Sequence, residues 1–338
     1  MTRTHRFGKG SAWWRMLLVC LLLLLLPTLA PAEVVIRFSH VVARDTPKGL
    51  AVERFKSLVE QRSGGRIRVA VYPAARLYGD LDEMEALRLG AVEMLAPSLS
   101  KFGPIGFPEF ELFDLPFLFE RIADVHRVTE GEVGRRLLDS LQRQGLVGLG
   151  FFDNGFKQMS ANRPLREPGD FNGLRMRVQA SRVIAAQFKA LGARPVVLAF
   201  SETRRALAAG VVDGTENPVS NFWTQQMHQV QSHLSLTHHA YLGYAVVANQ
   251  RFWTSLQPQD RDVVAQALEQ ALAYGNAIAD AENARALQAL QAAGTTQVHV
   301  LSSRQRAELR AKVQPVYDQL SARIGAHWMR DVREALAR

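Results

Sequence analysis

Cysteine is nearly missing from this chain of 338 residues: Cys20 is the only one. It lies inside an apolar run, residues 16–26, whereas a lipid-attachment cysteine would end such a run, so lipidation is not expected. Past that run the core has to stand without disulfides or thiolate metal ligands. No second apolar run approaches the roughly twenty residues of a membrane-spanning helix. Basic tracts and nucleic-acid motifs are missing too, so no nucleic acid partner is expected.

Catalytic signatures are equally scarce. The sequence contains no His-Glu-x-x-His, no Gly-x-Ser-x-Gly and no phosphate loop. Residues 145–150 are glycine-rich, but their spacing does not suit a dinucleotide fingerprint and no helix opens there. His228, His233, His238 and His239 cluster in sequence, yet their spacing does not put a ligand set on one helical face, so no metal site is expected. With no nucleophile–base pair visible, the reading is a protein that is not an enzyme and needs no cofactor.

What is present is enough apolar material, 47% of residues, for real cores in one large domain or two ordinary ones. Arg3, Arg6, Lys9 and Arg15 precede the apolar run, and Ala30-Pro31-Ala32 follows it as a small-x-small cleavage pattern. Residues 1–32 therefore read as a secretory signal peptide and the mature chain as beginning at Glu33, in the periplasm. A retained anchor is the alternative; the run is about half the length of a bilayer span. The formal charge of +9 includes those four basic residues and no acidic one, leaving +5 for the rest. Such an excess suits anionic small molecules without singling them out.

Along the chain, residues 34–39 read as a buried strand. Thr46-Pro47 reads as a helix cap and first turn, with apolar residues at helical spacing up to Gly64-Gly65. Residues 67–72 are a second strand, 81–89 a helix and 93–96 a short strand. This β-α-β-α-β order predicts a parallel sheet with ligands at the carboxyl ends of its strands. Residues 102–119 carry six phenylalanines among prolines and glycines and fit neither period, which predicts an irregular segment pinned by buried rings. A helix over 122–144 leads to a strand over 146–152.

From Asp153 the pattern restarts, with strands over 156–160, 174–178 and 196–198, a helix over 182–191, and a helix capped by Ser201 and stopped by Gly210. Residues 241–248 read as a strand returning to the first unit. Residues 258–293 are helix-compatible throughout; one helix of that length is about 54 Å long at roughly 1.5 Å per residue. It is expected to brace both units, with Gly275 able to allow a bend.

Five positions draw attention chemically. In the strand 174–178, Leu174, Met176 and Val178 face one way and Arg175 and Arg177 the other. An arginine at the strand end can grip a carboxylate bidentately, although a solvated strand face reads the same. Lys48 beside the Thr46-Pro47 helix start suits an anion, although an ordinary helix start reads the same. Asn217, made extended by Pro218, can donate to a carboxylate or serve as a turn residue. Lys157 can add positive charge to a cleft or lie at the surface, and Phe200 can pack a ligand's carbon chain or be plain core.

These segments together resemble the solute-binding proteins of TRAP (tripartite ATP-independent periplasmic) transporters, the DctP family. The likeness runs from Val34 nearly to the C-terminus. It is carried by Phe38-Ser-His-Val-Val-Ala43, Thr46-Pro-Lys-Gly49, Asp114-Leu-Pro-Phe-Leu-Phe119, Gly173-Leu-Arg-Met-Arg-Val178, Ala199-Phe-Ser-Glu202 and Gly210-Val-Val-Asp-Gly-Thr-Glu-Asn-Pro218. The resemblance implies an α/β fold of the two-lobed periplasmic binding protein type (type II-like), with a ligand cleft between lobes, crossing strands and a long bracing helix. Lobe I is expected over 33–154 plus 243–282, and lobe II over 155–242 plus 283–338.

The family's signature arginine falls on Arg177, its Glu-Asn-Pro asparagine on Asn217 and an assisting basic residue on Lys157. With these, Lys48, Phe200 and His40 make up the expected ligand site. The family's usual Arg-Val-Pro becomes Arg177-Val178-Gln179, a departure in the local turn. The acidic residue that the sialic-acid branch carries near Pro97 is missing, which argues against a polyhydroxylated sugar acid. The Ser-His-Val-Val-Ala and Thr-Pro-Lys-Gly segments look most like the branch for four-carbon dicarboxylates such as malate, succinate and fumarate. The expectation is a monomeric receptor that delivers such a ligand to integral membrane TRAP transporter subunits. Its rivals are the same scaffold for a keto or aromatic acid, a chemoreceptor ligand subunit and a periplasmic enzyme.

Overall fold

In the computed structural model the described residues are 33–337. The expected signal peptide, residues 1–32, with its expected cleavage motif and Cys20, lies outside them. Strand β1 (Val34–Ser39) buries Ile36 and Phe38 completely, and Arg37 pairs with Glu93. Helix α1 (Pro47–Arg62) starts as its sequence predicts: the Thr46 hydroxyl accepts from Gly49 N at 3.2 Å, with proline in the first turn. A side chain at Gly49 would begin 2.3 Å from Arg44 O, so only glycine lets the loop fold back onto the helix start. Strand β2 (Ile67–Tyr72), helix α2 (Glu83–Leu89), stopped by left-handed Gly90, and the short β3 (Met94–Leu95) complete the first unit. β1 and β3 are parallel, with Phe38 opposite Met94.

Residues 99–119 form an irregular segment with 3-10 turns at Leu99–Lys101 and Pro108–Asp114, held by buried rings, Phe102 stacking on Phe110 at 4.5 Å between centroids. The single helix expected over 122–144 is two: α3 (Ile122–Thr129) and α4 (Glu132–Ser140), followed by a 3-10 turn. The chain turns so tightly between them that a side chain at Gly134 would begin 2.1 Å from Thr129 O. Strand β4 (Leu146–Phe156) outruns its expected end and passes, with only Lys157 between, into β5 (Gln158–Ala161). Then come β6 (Arg175–Val178), α5 (Arg182–Ala190), β7 (Arg194–Val197) and α6 (Thr203–Ala208). Ser201 does not cap α6; it lies within a 3-10 turn, Phe200–Glu202.

Strand β8 (Gly214–Asn217), helix α7 (Val219–Thr224), β9 (His233–Leu236) and β10 (Tyr241–Asn249) follow. Helix α8 (Gln250–Ser255) leads into α9 (Pro258–Ala293), unbroken and closed by left-handed Gly294. The chain continues with β11 (Gln297–Val300), α10 (Ser303–Val313), α11 (Pro315–Ile324) and α12 (Ala326–Ala337).

The strands make two sheets, ordered β2-β1-β3-β10-β4 and β11-β9-β5-β8-β6-β7, and the fold is a two-lobed α/β arrangement. Three connections cross between the sheets: β4 into β5, β9 back to β10, and β10 on to β11 by way of α8 and α9. The first two meet where Tyr241 pairs with Phe156 and Lys157 N donates to Ala240 O at 2.8 Å. β10 is antiparallel to both β3 and β4, so the returning strand does join the first sheet. Helix α9 packs on α1 and β4 and also on α7. The helix runs through Gly275 without a break; a side chain there would begin 2.8 Å from Ala51 Cβ and 3.1 Å from the Phe152 ring, so glycine is needed for close approach.

Candidate functional site

The carboxyl ends of β1 and β3 and the N-terminus of α1 converge on Lys48. Its side chain is 1% exposed; Nζ donates to Ala96 O at 2.8 Å and stands 3.6 Å from the centroid of the Tyr244 ring. Burial pushes its ammonium down to about 7, Glu83 opposing the shift and Lys101 adding to it. His40, just past β1, is as deeply buried, and neither ring nitrogen has a hydrogen-bond partner among the described residues. Burial, reinforced by Lys48, lowers its imidazolium to about 3, so it is neutral.

On the second sheet, Arg175 and Arg177 share a strand face but meet different fates. Arg175 stays at the surface and pairs with Asp213, as a solvated strand face would have it. Arg177 is 2% exposed, its Nε and Nη2 donating to Leu198 O at 3.0 and 2.8 Å. Its guanidinium carbon is 5.7 Å from the centroid of the Phe200 ring, a cation–π arrangement, and Phe200 also packs into an apolar cluster with Val41, Val42 and Leu207. Arg177 also lines a cavity of about 30 Å³ with Asp80, Lys101, Gln179 and Leu198.

Lys157 and Asn217 occupy neighbouring positions in the second sheet, where Gln158 pairs with Asn217 and Met159 with Glu216. Lys157 Nζ meets Glu216 Oε1 at 2.8 Å; His239 Nε2 meets Glu216 Oε2 at 2.8 Å and its Nδ1 the Thr237 hydroxyl at 2.7 Å. Burial alone would raise the Glu216 carboxyl, but Lys157 and His239 outweigh it and hold it at about 2. Lys157 is thus a compensated charge. Among the described residues the Asn217 amide nitrogen makes only long contacts, 3.4 Å to Thr215 Oγ1 and 3.9 Å to Met227 Sδ.

Several residues escaped the sequence reading. Asp80 accepts from Phe200 N and pairs with Lys101, which also pairs with Glu83. Gln179, where the family pattern has proline, donates from Nε2 to Ser98 Oγ at 2.7 Å, tying the strand β6 region to the loop after β3. Tyr244 reads in sequence only as one more apolar strand position. Nothing local in the sequence signals these partners, because each pair is distant along the chain.

Among the described residues, Arg177 and Lys48 are buried cations with no carboxylate at ion-pair distance, whereas Lys101 has two and Lys157 one. A two-lobed scaffold with uncompensated cations of this kind belongs to the class of extracellular solute-binding proteins. Within it, this chain is a member of the DctP family, bacterial extracellular solute-binding protein family 7, whose model matches residues 38–323. It is 51% identical over 94% of its length to the C4-dicarboxylate-binding periplasmic protein DctP of Rhodobacter capsulatus, 95% of which is covered. It resembles the crystal structure of a TRAP periplasmic solute-binding protein from Shewanella oneidensis with bound succinate. There the TM-score is 0.87 and the identity 43%, over 90% of this chain and 98% of that one. A TRAP periplasmic solute-binding protein from Pseudomonas aeruginosa PAO1 with bound L-malate gives a TM-score of 0.82 and 40% identity, over 85% of this chain and 99% of that one.

Proposed function

We propose that this chain is the periplasmic receptor of a TRAP transporter, capturing four-carbon dicarboxylates such as malate, succinate and fumarate. It releases them unchanged to integral membrane subunits. The observation that carries the reading is the pair of buried, uncompensated cations, Arg177 and Lys48. A dianion leaving water must regain its hydration as charge-assisted hydrogen bonds at both ends. Arg177, with Asn217, serves one carboxylate. Lys48, at the helix start that Thr46 caps, serves the other.

Phe200 holds the guanidinium plane, His40 lines the Lys48 end, and Lys157 acts through Glu216 on the strand that carries Asn217. Relatives and structural neighbours that bind C4-dicarboxylates, succinate and L-malate support the same ligand class. Micromolar binding corresponds to about −8 kcal/mol, within reach of two buried charge-assisted contacts. The lobes divide at the crossing strands, 33–154 plus 243–282 and 155–242 plus 283–338. Residues 1–32 direct export as a cleaved signal, and the receptor acts as a monomer and is not an enzyme. No described helix is long and apolar enough to cross a membrane.

A thermal-shift screen against organic acids tests the reading, because a ligand that binds only the folded state raises its melting temperature. Four-carbon diacids are expected to give large shifts and mono-acids small ones. Equal shifts with keto or aromatic mono-acids, or consumption of the diacid, would overturn it.

A further inference from the structure

We infer that the site prefers a four-carbon diacid bearing a hydroxyl over its hydroxyl-free analogue, because buried acceptors on His40 and Asn154 need a donor that no carboxylate carries. The inference rests on the dicarboxylate reading and goes beyond it by ranking the ligands.

The two side chains are 0–1% exposed. Among the described residues, both polar atoms of Asn154 and both ring nitrogens of His40 lack a hydrogen-bond partner. Whichever way the Asn154 amide is turned and whichever tautomer His40 adopts, one bare acceptor remains on each. Such groups are rare in folded proteins and each calls for an explanation.

They are connected to the Lys48 end of the site. Lys48 stands over the Tyr244 ring, and His40 lies in the field of Lys48, whose charge lowers its imidazolium. Tyr244 is opposite Phe152 in the β10–β4 ladder, and Asn154 lies two residues beyond Phe152. There the register slips: Gly243 pairs with Asp153 and Leu242 with Gly155, so Asn154 is the extra residue of a bulge. Bulges of this kind re-aim a side chain beside a site. Asn283 of α9 then joins Asn154 to the start of α7, its Nδ2 donating to Asn154 O at 2.6 Å and its Oδ1 accepting from Ser220 N at 3.0 Å.

An ionised carboxylate only accepts hydrogen bonds, so succinate and fumarate satisfy the donors of this cluster and leave its acceptors bare. A 2-hydroxy diacid brings an O–H to one of them. A site built to bond a hydroxyl discriminates strongly against the analogue that lacks it, since the buried partner is then left unpaired.

Calorimetric titration of the purified protein with succinate, fumarate and the two enantiomers of malate tests this. One malate enantiomer is expected to bind at least about tenfold more tightly than succinate, about 1.4 kcal/mol, with fumarate grouped with succinate. In Asn154→Leu and His40→Phe the malate-to-succinate ratio is expected to fall at least about fivefold. Should either variant not fold, the wild-type ratio and the other variant decide. Malate and succinate binding within twofold, or a ratio unmoved in every folded variant, overturns the inference and leaves the dicarboxylate reading standing. If no diacid binds, that reading fails first and the ranking falls with it.

Discussion

Lys157 Nζ and Glu216 Oε1 stand 2.8 Å apart with both side chains 1% exposed, at the point where one sheet's strand becomes the other's. His239 completes the site from the returning connection, so the β4–β5 and β9–β10 crossings are tied to one carboxylate. Breaking a buried pair leaves a stranded charge, which costs about 3–5 kcal/mol, whereas apolar replacement of both partners is often neutral. Lys157→Met is therefore expected to lower unfolding stability by that amount, and Lys157→Met with Glu216→Leu to recover much of it. Urea denaturation checks both; a single-variant loss below about 1 kcal/mol would return Lys157 to the role of a plain cleft cation.

The same carboxyl shapes the acid limb of stability. Glu216 titrates at about 2 in the fold against 4.5 in its ordinary state, so its contribution is complete above about 4.5. It is lost as pH falls from there through 2, because the unfolded chain binds the proton first. Melting temperatures between pH 5 and pH 2 should fall more steeply in the wild type than in Glu216→Gln. Parallel curves would contradict the assignment.

Lys48 gives the opposite pH signature, in binding. Its ammonium titrates at about 7 when buried without a carboxylate. A dianion beside it raises that value, so binding draws in a proton once the free protein has lost it. Affinity for a diacid should be level below about pH 7 and weaken by up to about tenfold per pH unit above it. For folding the sign reverses: the unfolded chain holds this proton to 10.5, so the group adds stability as pH rises from 7. Titrations in buffers of different ionisation enthalpy measure the uptake, and Lys48→Met should abolish it. Persistence of the uptake in that variant would assign it elsewhere.

Gly275 supplies a test of the brace. A methyl group there meets Ala51 and Phe152, so Gly275→Ala should cost about 1–3 kcal/mol by overpacking, despite alanine's better helix propensity. Stabilisation in a denaturation experiment would mean that α9 and α1 separate freely.

Much of the fold was legible because its signals are local. The strands at 34–39 and 67–72 and the helix at 258–293 begin and end where alternation, proline and glycine say they should. The reading failed where tertiary geometry overrode a compatible pattern, at the break between α3 and α4 and at Ser201. For the site, Lys48 and Arg177 were readable as a helix-start cation and a strand-end arginine, and both are buried. Their surroundings were not. Gln179 meets Ser98 across 81 residues of chain and Lys157 meets Glu216 across 59, and no periodicity encodes such pairs.

The central claim is that the buried guanidinium of Arg177 anchors one ligand carboxylate by its planar fork. Calorimetric titration of Arg177→Lys with a four-carbon diacid, with thermal melts to confirm folding, tests it most directly. A lysine keeps the charge but loses the bidentate geometry, and about 2–5 kcal/mol of lost binding, thirtyfold or more, is expected. A folded Arg177→Lys variant that binds within about threefold of the wild type would contradict the account.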